Sequence, residues 1–117
     1  MVAATSRVDD DGRRDLRVSA GLWLRARREE KSLSQRDLAE KVGAVYYTFI
    51  SQIEAGRGRI PAERYAAWAE ALEIEPRAFA INMLRFYEPA THMLIFGSQE
   101  EPERANIDSN DDAVNKP

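Results

Sequence analysis

Residues 34–56 constrain the fold most, because this stretch holds two short amphipathic helical patterns separated by a turn at Gly43. The first pattern begins at Ser34, which together with Asp37 comes close to a capping box. Its apolar positions follow at helical spacing and are expected to face inward: Leu38, Ala39 and Val42. Gly43 stands where a left-handed residue commonly ends a helix. The stretch therefore predicts two helices packed at a fixed angle.

The second pattern predicts a helix over residues 46–54, ended by Gly56. Its inward stripe is formed by Phe49, Ile50 and Ile53. The remaining side chains must then lie largely on other faces, and all of them can form hydrogen bonds: Tyr47, Thr48, Ser51 and Gln52. A helix pair whose second member presents such a face outward has the shape that fits the DNA major groove.

The distribution of charge is more informative than the total, which is −3 for the whole chain. Residues 25–59 contain eight basic and five acidic side chains and so carry +3, whereas residues 98–117 carry −4. A binding partner responds to the local field within roughly 10 Å at physiological salt. The basic stretch is therefore compatible with nucleic acid although the chain as a whole is acidic.

Several classes of protein are not expected from the composition. The chain has no cysteine, which excludes disulfides and thiolate metal sites. No apolar run approaches the roughly 20 residues of a membrane span, and no secretory signal is recognisable. The single histidine, His92, has no second histidine with which to build a zinc site, and no phosphate-binding glycine motif is present. We therefore expect a cytoplasmic protein without catalytic residues, metal, cofactor, membrane partner or small-molecule ligand.

The rest of the chain divides into further helices and two polar ends. Residues 1–17 lack apolar periodicity and are interpreted as a flexible N-terminal arm. A first helix is expected over residues 19–31. A fourth helix is expected to start at Pro61 and a fifth at Pro76, since proline suits the first helical turn. Residues 98–117 are acidic and aperiodic, and we expect them to be disordered.

Residues 92–96 (HMLIF) form a short apolar run between Pro89 and Gly97, and at this length a strand is expected. A lone strand leaves its backbone groups unpaired, so we favour pairing with the same strand of a second copy. The alternative is a segment folded over the core of its own monomer. Large apolar residues of the fifth helix and the strand are assigned to the dimer interface: Phe79, Met83, Phe86, Tyr87, Met93, Leu94, Ile95 and Phe96.

A resemblance to a known family is carried by LSQRDLA at 33–39, VG at 42–43 and YTFISQIEAGR at 47–57. Over about residues 22–72 the chain resembles the Cro/cI-type helix-turn-helix regulators, also called XRE-like. The resemblance implies an all-α, five-helix, lambda-repressor-like DNA-binding fold, with the helix-turn-helix DNA-binding domain over residues 18–74. Residues 75–97 would contribute the fifth helix and a short C-terminal β-strand for dimerisation.

The same resemblance implies the site residues. Base reading falls to Tyr47, Thr48, Ser51 and Gln52, and a glutamine such as Gln52 can pair with adenine N6 and N7. Phosphate contacts fall to Gln35, Arg28, Tyr46, Arg57 and Arg59. Arg28 and Glu54 match the positions of an ion pair in phage-repressor relatives, the alternative being two independent surface charges. The turn is one residue longer than is common in the family, so the roles of Tyr46 and Tyr47 stay open.

The resemblance implies a sequence-specific regulator of transcription that binds double-stranded DNA. The simplest form is a repressor, bacterial or phage-derived, that occupies a palindromic operator as a homodimer. An alternative is a protein-interaction module, such as an antitoxin or anti-repressor, that uses the helix-turn-helix as a scaffold. Salt-sensitive, sequence-selective DNA binding distinguishes the first function from the second.

Overall fold

The computed structural model describes residues 2–97 of the chain, with side-chain surroundings from residue 12 onward. Within this part of the chain all regular structure is helical, and no strand occurs. The α-helices are α1 (Val2–Glu30), α2 (Gln35–Val42), α3 (Thr48–Glu54), α4 (Tyr65–Leu72), α5 (Pro76–Tyr87) and α6 (Pro89–Phe96). A short 3-10 helix, Ala62–Arg64, leads into α4. The predicted disorder of residues 98–117 lies outside the described residues.

The hydrophobic core lies between the first five helices. α1 packs against α3 and α5, α2 packs against α3 and α4, and α4 packs against α5. Trp68, Phe79 and Met83 are fully buried among them. The Trp23 ring of α1 lies 6.1 Å from the Phe79 ring, measured between centroids. Burial of this apolar surface is the main force that holds α2 and α3 in place on the other helices.

The helix-turn-helix pair forms as the sequence predicts. The Ser34 side chain accepts a hydrogen bond from the Asp37 backbone N–H, and the Asp37 carboxylate accepts one from the Ser34 N–H, each at 2.9 Å. Hydrogen bonds from Ser34 to the Asp37 carboxylate, above all the one from the Ser34 backbone N–H, hold the pKa of the Asp37 carboxyl below its usual value. Gly43 ends α2 with φ at 74°, in the left-handed region that glycine adopts most readily. Both the capping interaction and the turn are therefore confirmed.

The helix α3 begins at Thr48, two residues later than predicted, so Tyr46 and Tyr47 precede it in the turn. Ile50 and Ile53 are buried as predicted, whereas Phe49 is exposed and its predicted inward position is wrong. Consecutive helical residues point about 100° apart, so a buried Ile50 turns Phe49 toward the rim of the core. The extra residue of the turn is thus accommodated before α3 rather than within it.

The first helix starts at Val2 rather than near Ser19, so residues 2–17 continue α1 instead of standing apart from it as an arm. Ala20 and Leu24 are fully buried and anchor the C-terminal half of α1. Extending an anchored helix costs much less than nucleating a new one, and no proline interrupts residues 2–17. The helix therefore extends beyond the apolar pattern from which its start was predicted.

Residues 92–96, predicted as a strand, belong to the helix α6, so the predicted C-terminal β-strand is wrong. Pro89 occupies the first turn of α6, and Gly97 ends the helix with φ at 61°. His92 and Phe96 lie one helical turn apart, and their ring centroids are 4.7 Å apart. A helix satisfies its backbone N–H and C=O groups within one chain, whereas a lone strand cannot.

The residues assigned to a dimer interface divide into two groups. Those of α5 belong to the core of the single chain, since Phe79, Met83 and Tyr87 are buried and Phe86 packs partly buried against them. Helices α1 and α4 pack against α5, so the buried Phe79, Met83 and Tyr87 are not available to a partner and their assignment to dimerisation is wrong, whereas that of the partly buried Phe86 stays a prediction. The α6 residues are exposed: Met93, Leu94, Ile95 and Phe96.

Candidate nucleic-acid interface

The face of α3 that points away from the core carries polar side chains. Thr48 and Gln52 are exposed on it, and Ser51 is half-buried beside them. The Ser51 hydroxyl donates a hydrogen bond to the Thr48 carbonyl at 2.9 Å, so only its oxygen lone pairs remain for another partner. Because Ile50 and Ile53 hold the opposite face in the core, this polar surface is free to meet another molecule.

The two tyrosines of the turn lie on the same side of the molecule as this face but in different surroundings. Tyr46 is 72% exposed. Tyr47 is 40% exposed, and the guanidinium carbon of Arg36 lies 4.3 Å from its ring centroid. This cation–π contact joins the first turn of α2 to the turn before α3. A shallow groove beside it is lined by both tyrosines and by Thr48. Neither tyrosine is buried in the core.

Arg28 of α1 and Glu54 of α3 form a buried bidentate ion pair. Arg28 Nε donates to one carboxylate oxygen of Glu54 at 2.6 Å, and a terminal nitrogen donates to the other at 3.0 Å. The second terminal nitrogen donates to the Leu33 carbonyl at 2.7 Å. The hydrogen bond to Glu54 raises the pKa of Arg28. The ion pair is therefore confirmed, but Arg28 is only 7% exposed, so its assignment to a phosphate contact is wrong.

This ion pair determines how α3 is presented. Removing one partner of a buried ion pair typically costs about 3–5 kcal/mol, because the other charge is left unpaired in the interior. Gly21 lies on the same side of α1 and brings its backbone against the end of α3. Together, Gly21 and the ion pair fix the orientation of α3, and with it the direction in which Gln52 projects.

Gln35, the first residue of α2, belongs to the same hydrogen-bond network. Its Nε2 donates to a carboxylate oxygen of Glu54 at 3.0 Å, which orients the side-chain amide. Gln35 is half-buried, and an amide of this kind has a second N–H that can donate to a phosphate oxygen. The phosphate contact of Gln35 stays a prediction.

Arg57 and Arg59 follow α3 on an exposed loop, and each has a partner within the chain. Arg57 Nε donates to the Gln52 side-chain oxygen at 2.9 Å. Arg59 donates to the Glu88 carboxylate at 3.0 Å, and its guanidinium carbon lies 4.6 Å from the Tyr87 ring centroid. Two arginines suited to phosphate contacts are thus held in defined directions, Arg57 next to Gln52 of α3 and Arg59 against the end of α5.

Three residues that shape this surface escaped the sequence analysis. Arg36 stacks on Tyr47, Gly21 allows the close approach of α3, and the Arg64 guanidinium donates to the Val42 carbonyl at the end of α2. Each acts between elements that are distant in sequence, so local patterns do not reveal it. Gly21 alone left a signal, because a glycine inside a helical pattern costs about 1 kcal/mol relative to alanine and often has a packing reason.

Residues 2–97 contain neither a candidate metal site nor a candidate membrane-spanning helix. This part of the chain contains no group of three or more His, Cys, Asp or Glu side chains placed to hold a metal ion. None of the helices described there combines the length and apolar character that crossing a membrane requires.

Comparison with known protein families bears directly on this surface. The helix-turn-helix family HTH_3 matches residues 24–79, which run from the C-terminal part of α1 into the first turn of α5. Neither a curated protein nor a solved structure matched the chain. The match supports the resemblance of residues 24–79 to the Cro/cI-type, XRE-like helix-turn-helix family, a family of DNA-binding transcription regulators.

Proposed function

We propose that this protein is a sequence-specific transcription regulator that represses by occupying a palindromic operator as a homodimer. The observation that supports the proposal is that α3 is held at the surface in a fixed orientation. Its polar face is outside the core, and the buried pair of Arg28 and Glu54 fixes its direction. A rigidly held helix with an exposed polar face can enter the major groove and read base edges.

The contacts divide into base reading and phosphate binding. Base reading falls to the outer face of α3 and the turn before it: Tyr47, Thr48, Ser51 and Gln52. Phosphate binding is assigned to Gln35 of α2, to Tyr46 in the turn before α3, and to Arg57 and Arg59 in the loop after it. Arg28 acts indirectly, since it holds Glu54, which in turn orients Gln35. Phosphate contacts supply most of the affinity in such complexes and make it depend on salt.

Dimerisation through α6 is supported by its exposed apolar residues. Leu94 is 86% exposed and Ile95 is 61% exposed, next to the partly exposed Met93 and Phe96. Four consecutive apolar residues on a surface indicate a partner, and a second copy supplies a matching apolar surface through a two-fold axis. A two-fold dimer would present two α3 helices about 34 Å apart, one turn of DNA. Occupancy of an operator by such a dimer can block transcription without a further domain.

A second candidate function rests on the same exposed helix. α6 could bind a different protein, as in an antitoxin or anti-repressor, with the helix-turn-helix serving as a scaffold. The exposed apolar residues of α6 fit either kind of partner. Binding to DNA separates the two functions.

Selection of bound sequences from random double-stranded DNA tests the proposed function. We expect a two-fold symmetric motif and an affinity that falls steeply with salt. Gln52→Ala should relax the preference at one position of each half-site, at a cost of about 1–3 kcal/mol. Arg77→Ala is a matched control, since Arg77 is an exposed residue of α5 to which no DNA contact is assigned. Absence of sequence-selective retention at low salt would support the protein-interaction function instead.

A further inference from the structure

The backbone at the end of α3 brings residues 52 and 57 together. The Gly56 N–H donates to the Ile53 carbonyl at 3.1 Å, and the Arg57 N–H donates to the Gln52 carbonyl at 2.9 Å. This pair of hydrogen bonds defines a Schellman motif, in which the side chains of the third-last helical residue and the second residue after the cap usually make an apolar contact. Here those positions hold Gln52 and Arg57, so the apolar contact is replaced by a hydrogen bond between polar side chains.

The position of Arg57 is fixed from the other side by α1. Gly56 has φ at 82°, and a Cβ atom there would stand 2.7 Å from a methyl carbon of Val18. Glycine is therefore required at residue 56 both by the positive φ and by the close contact with Val18, and this geometry fixes the direction in which the chain leaves α3. Arg57 is held beside Gln52 by this backbone geometry and by its own hydrogen bond.

The chemistry of the pair determines which end of the Gln52 amide points outward. A guanidinium group has five N–H donors and no acceptor, so only the amide oxygen of Gln52 can face Arg57. The 2.9 Å bond from Arg57 Nε uses one of the two lone pairs of that oxygen and holds it toward Arg57, so the amide NH₂ is directed to the other side. Gln52 therefore presents mainly its N–H donors to a ligand.

We propose that Arg57 is a positioning residue that gives Gln52 a preference for guanine over adenine. The proposal rests on the proposed function as a DNA-binding regulator. Guanine presents two acceptors, N7 and O6, in the major groove, whereas adenine presents the N7 acceptor and an N6 donor. The two N–H donors of the Gln52 amide match both acceptors of guanine, whereas in adenine they face the N6 donor. The adenine contact expected for an isolated glutamine is thereby disfavoured.

The test compares base preferences of four proteins at one operator position. The operator position that Gln52 reads is the one at which the Gln52→Ala variant loses its base preference. Arg57→Leu removes the guanidinium donors and keeps the backbone N–H groups that form the Schellman motif. The melting temperature of the variant checks that the helix end is retained. Arg57→Ala is the second variant, used if Arg57→Leu fails to fold. Arg59→Leu is the matched control, an exposed loop arginine without a bond to Gln52.

We expect the unaltered protein to prefer guanine to adenine by about tenfold at that position. Arg57→Leu should abolish or reverse this preference, while Arg59→Leu should lower affinity for all sequences to a similar degree. If Arg57→Leu weakens all sequences equally, or if the unaltered protein prefers adenine, the assignment of Arg57 is overturned and the proposed function is left intact. If the unaltered protein selects no sequence, the proposed function is overturned together with this assignment.

Discussion

Gly21 of α1 lies against the backbone of Glu54 at the end of α3, so closely that a Cβ atom at residue 21 would stand 2.7 Å from the Glu54 carbonyl carbon. The Glu54 side chain is paired with Arg28, which lies about two turns after Gly21 on the same side of α1. Backbone contact and ion pair therefore act at the same place. They connect the stability of the fold to the presentation of α3.

Gly21→Ala should destabilise the protein and weaken DNA binding together. The added methyl group meets backbone atoms, which cannot move aside as a flexible side chain can, so we expect a loss of about 1–3 kcal/mol or more in the free energy of unfolding. Urea denaturation measures the loss. Gly12→Ala is the control, because a Cβ at Gly12 has nothing within 4 Å and alanine favours the helix. Equal stability of the two variants would show that α1 and α3 separate easily.

Glu54→Leu should cost about 3–5 kcal/mol, because Arg28 is then buried without a counter-charge. The double variant Arg28→Met, Glu54→Leu should recover much of that loss, since it leaves no buried charge unpaired. A double-mutant cycle by chemical denaturation measures the coupling. Additive single effects would mean that the two charges are independent after all.

Glu88→Gln should strengthen DNA binding about two- to fivefold. Glu88 pairs with Arg59 at 3.0 Å, and both side chains are well exposed, so the pair itself contributes about 1 kcal/mol or less. Releasing Arg59 makes it available to a phosphate. Glu70→Gln changes the net charge equally at an exposed residue of α4 and is the control for a general charge effect. The interpretation fails if both variants strengthen binding to the same extent, as measured by gel shift at fixed salt.

Acidification should destabilise α6 before the rest of the fold. Burial lowers the pKa of His92, and the charge of Arg85 lowers it further. The folded state therefore favours neutral His92. This preference contributes to the free energy of unfolding in full above the pKa of about 6.5 that histidine has in the unfolded chain, and the contribution is lost as the pH falls through the lower pKa of the folded state. Helix content and the free energy of unfolding, followed from pH 8 to pH 5, should fall less in His92→Gln. An identical pH profile for the two proteins would contradict this role of His92.

Leu94→Glu should dissociate the proposed dimer without unfolding the monomer. Leu94 is 86% exposed, so a charge there leaves the monomer core untouched but opposes apolar association. Sedimentation velocity measures the oligomeric state. Thr91→Glu adds the same charge at an exposed polar residue of α6 and serves as control. A monomeric unaltered protein, or an unchanged dimer in Leu94→Glu, would remove α6 from the interface.

The elements that could be predicted from the sequence are those specified within a few residues. Ser34, Asp37 and Gly43 specify the start and end of α2 by local hydrogen bonds and backbone conformation, and the structure confirms them. Buried Ile50 and Ile53 follow from helical spacing alone. The residues of α6 could not be assigned in this way, because a short apolar run has no periodicity that separates helix from strand.

The candidate site was predictable in location but less so in detail. In the sequence, Arg28 is simply a charged residue close to the predicted DNA-binding helices. Only the tertiary structure reveals that its guanidinium N–H groups already donate to Glu54 and Leu33. The same holds for the bond between Arg57 and Gln52, which depends on the backbone turn at Gly56. Sequence spacing identifies which side chains face outward, whereas the partners that orient them come from other elements.

The helical form of α6 bears on how two copies would assemble. Association through β-strands would leave peptide groups unsatisfied whenever the copies separated, and would favour a permanent complex. α6 closes its own hydrogen bonds, from the turn at Pro89 to Gly97. Copies joined by its side chains alone can exchange and separate as free, folded monomers. Operator occupancy would then respond steeply to the cellular amount of the protein, as a threshold rather than a constant state.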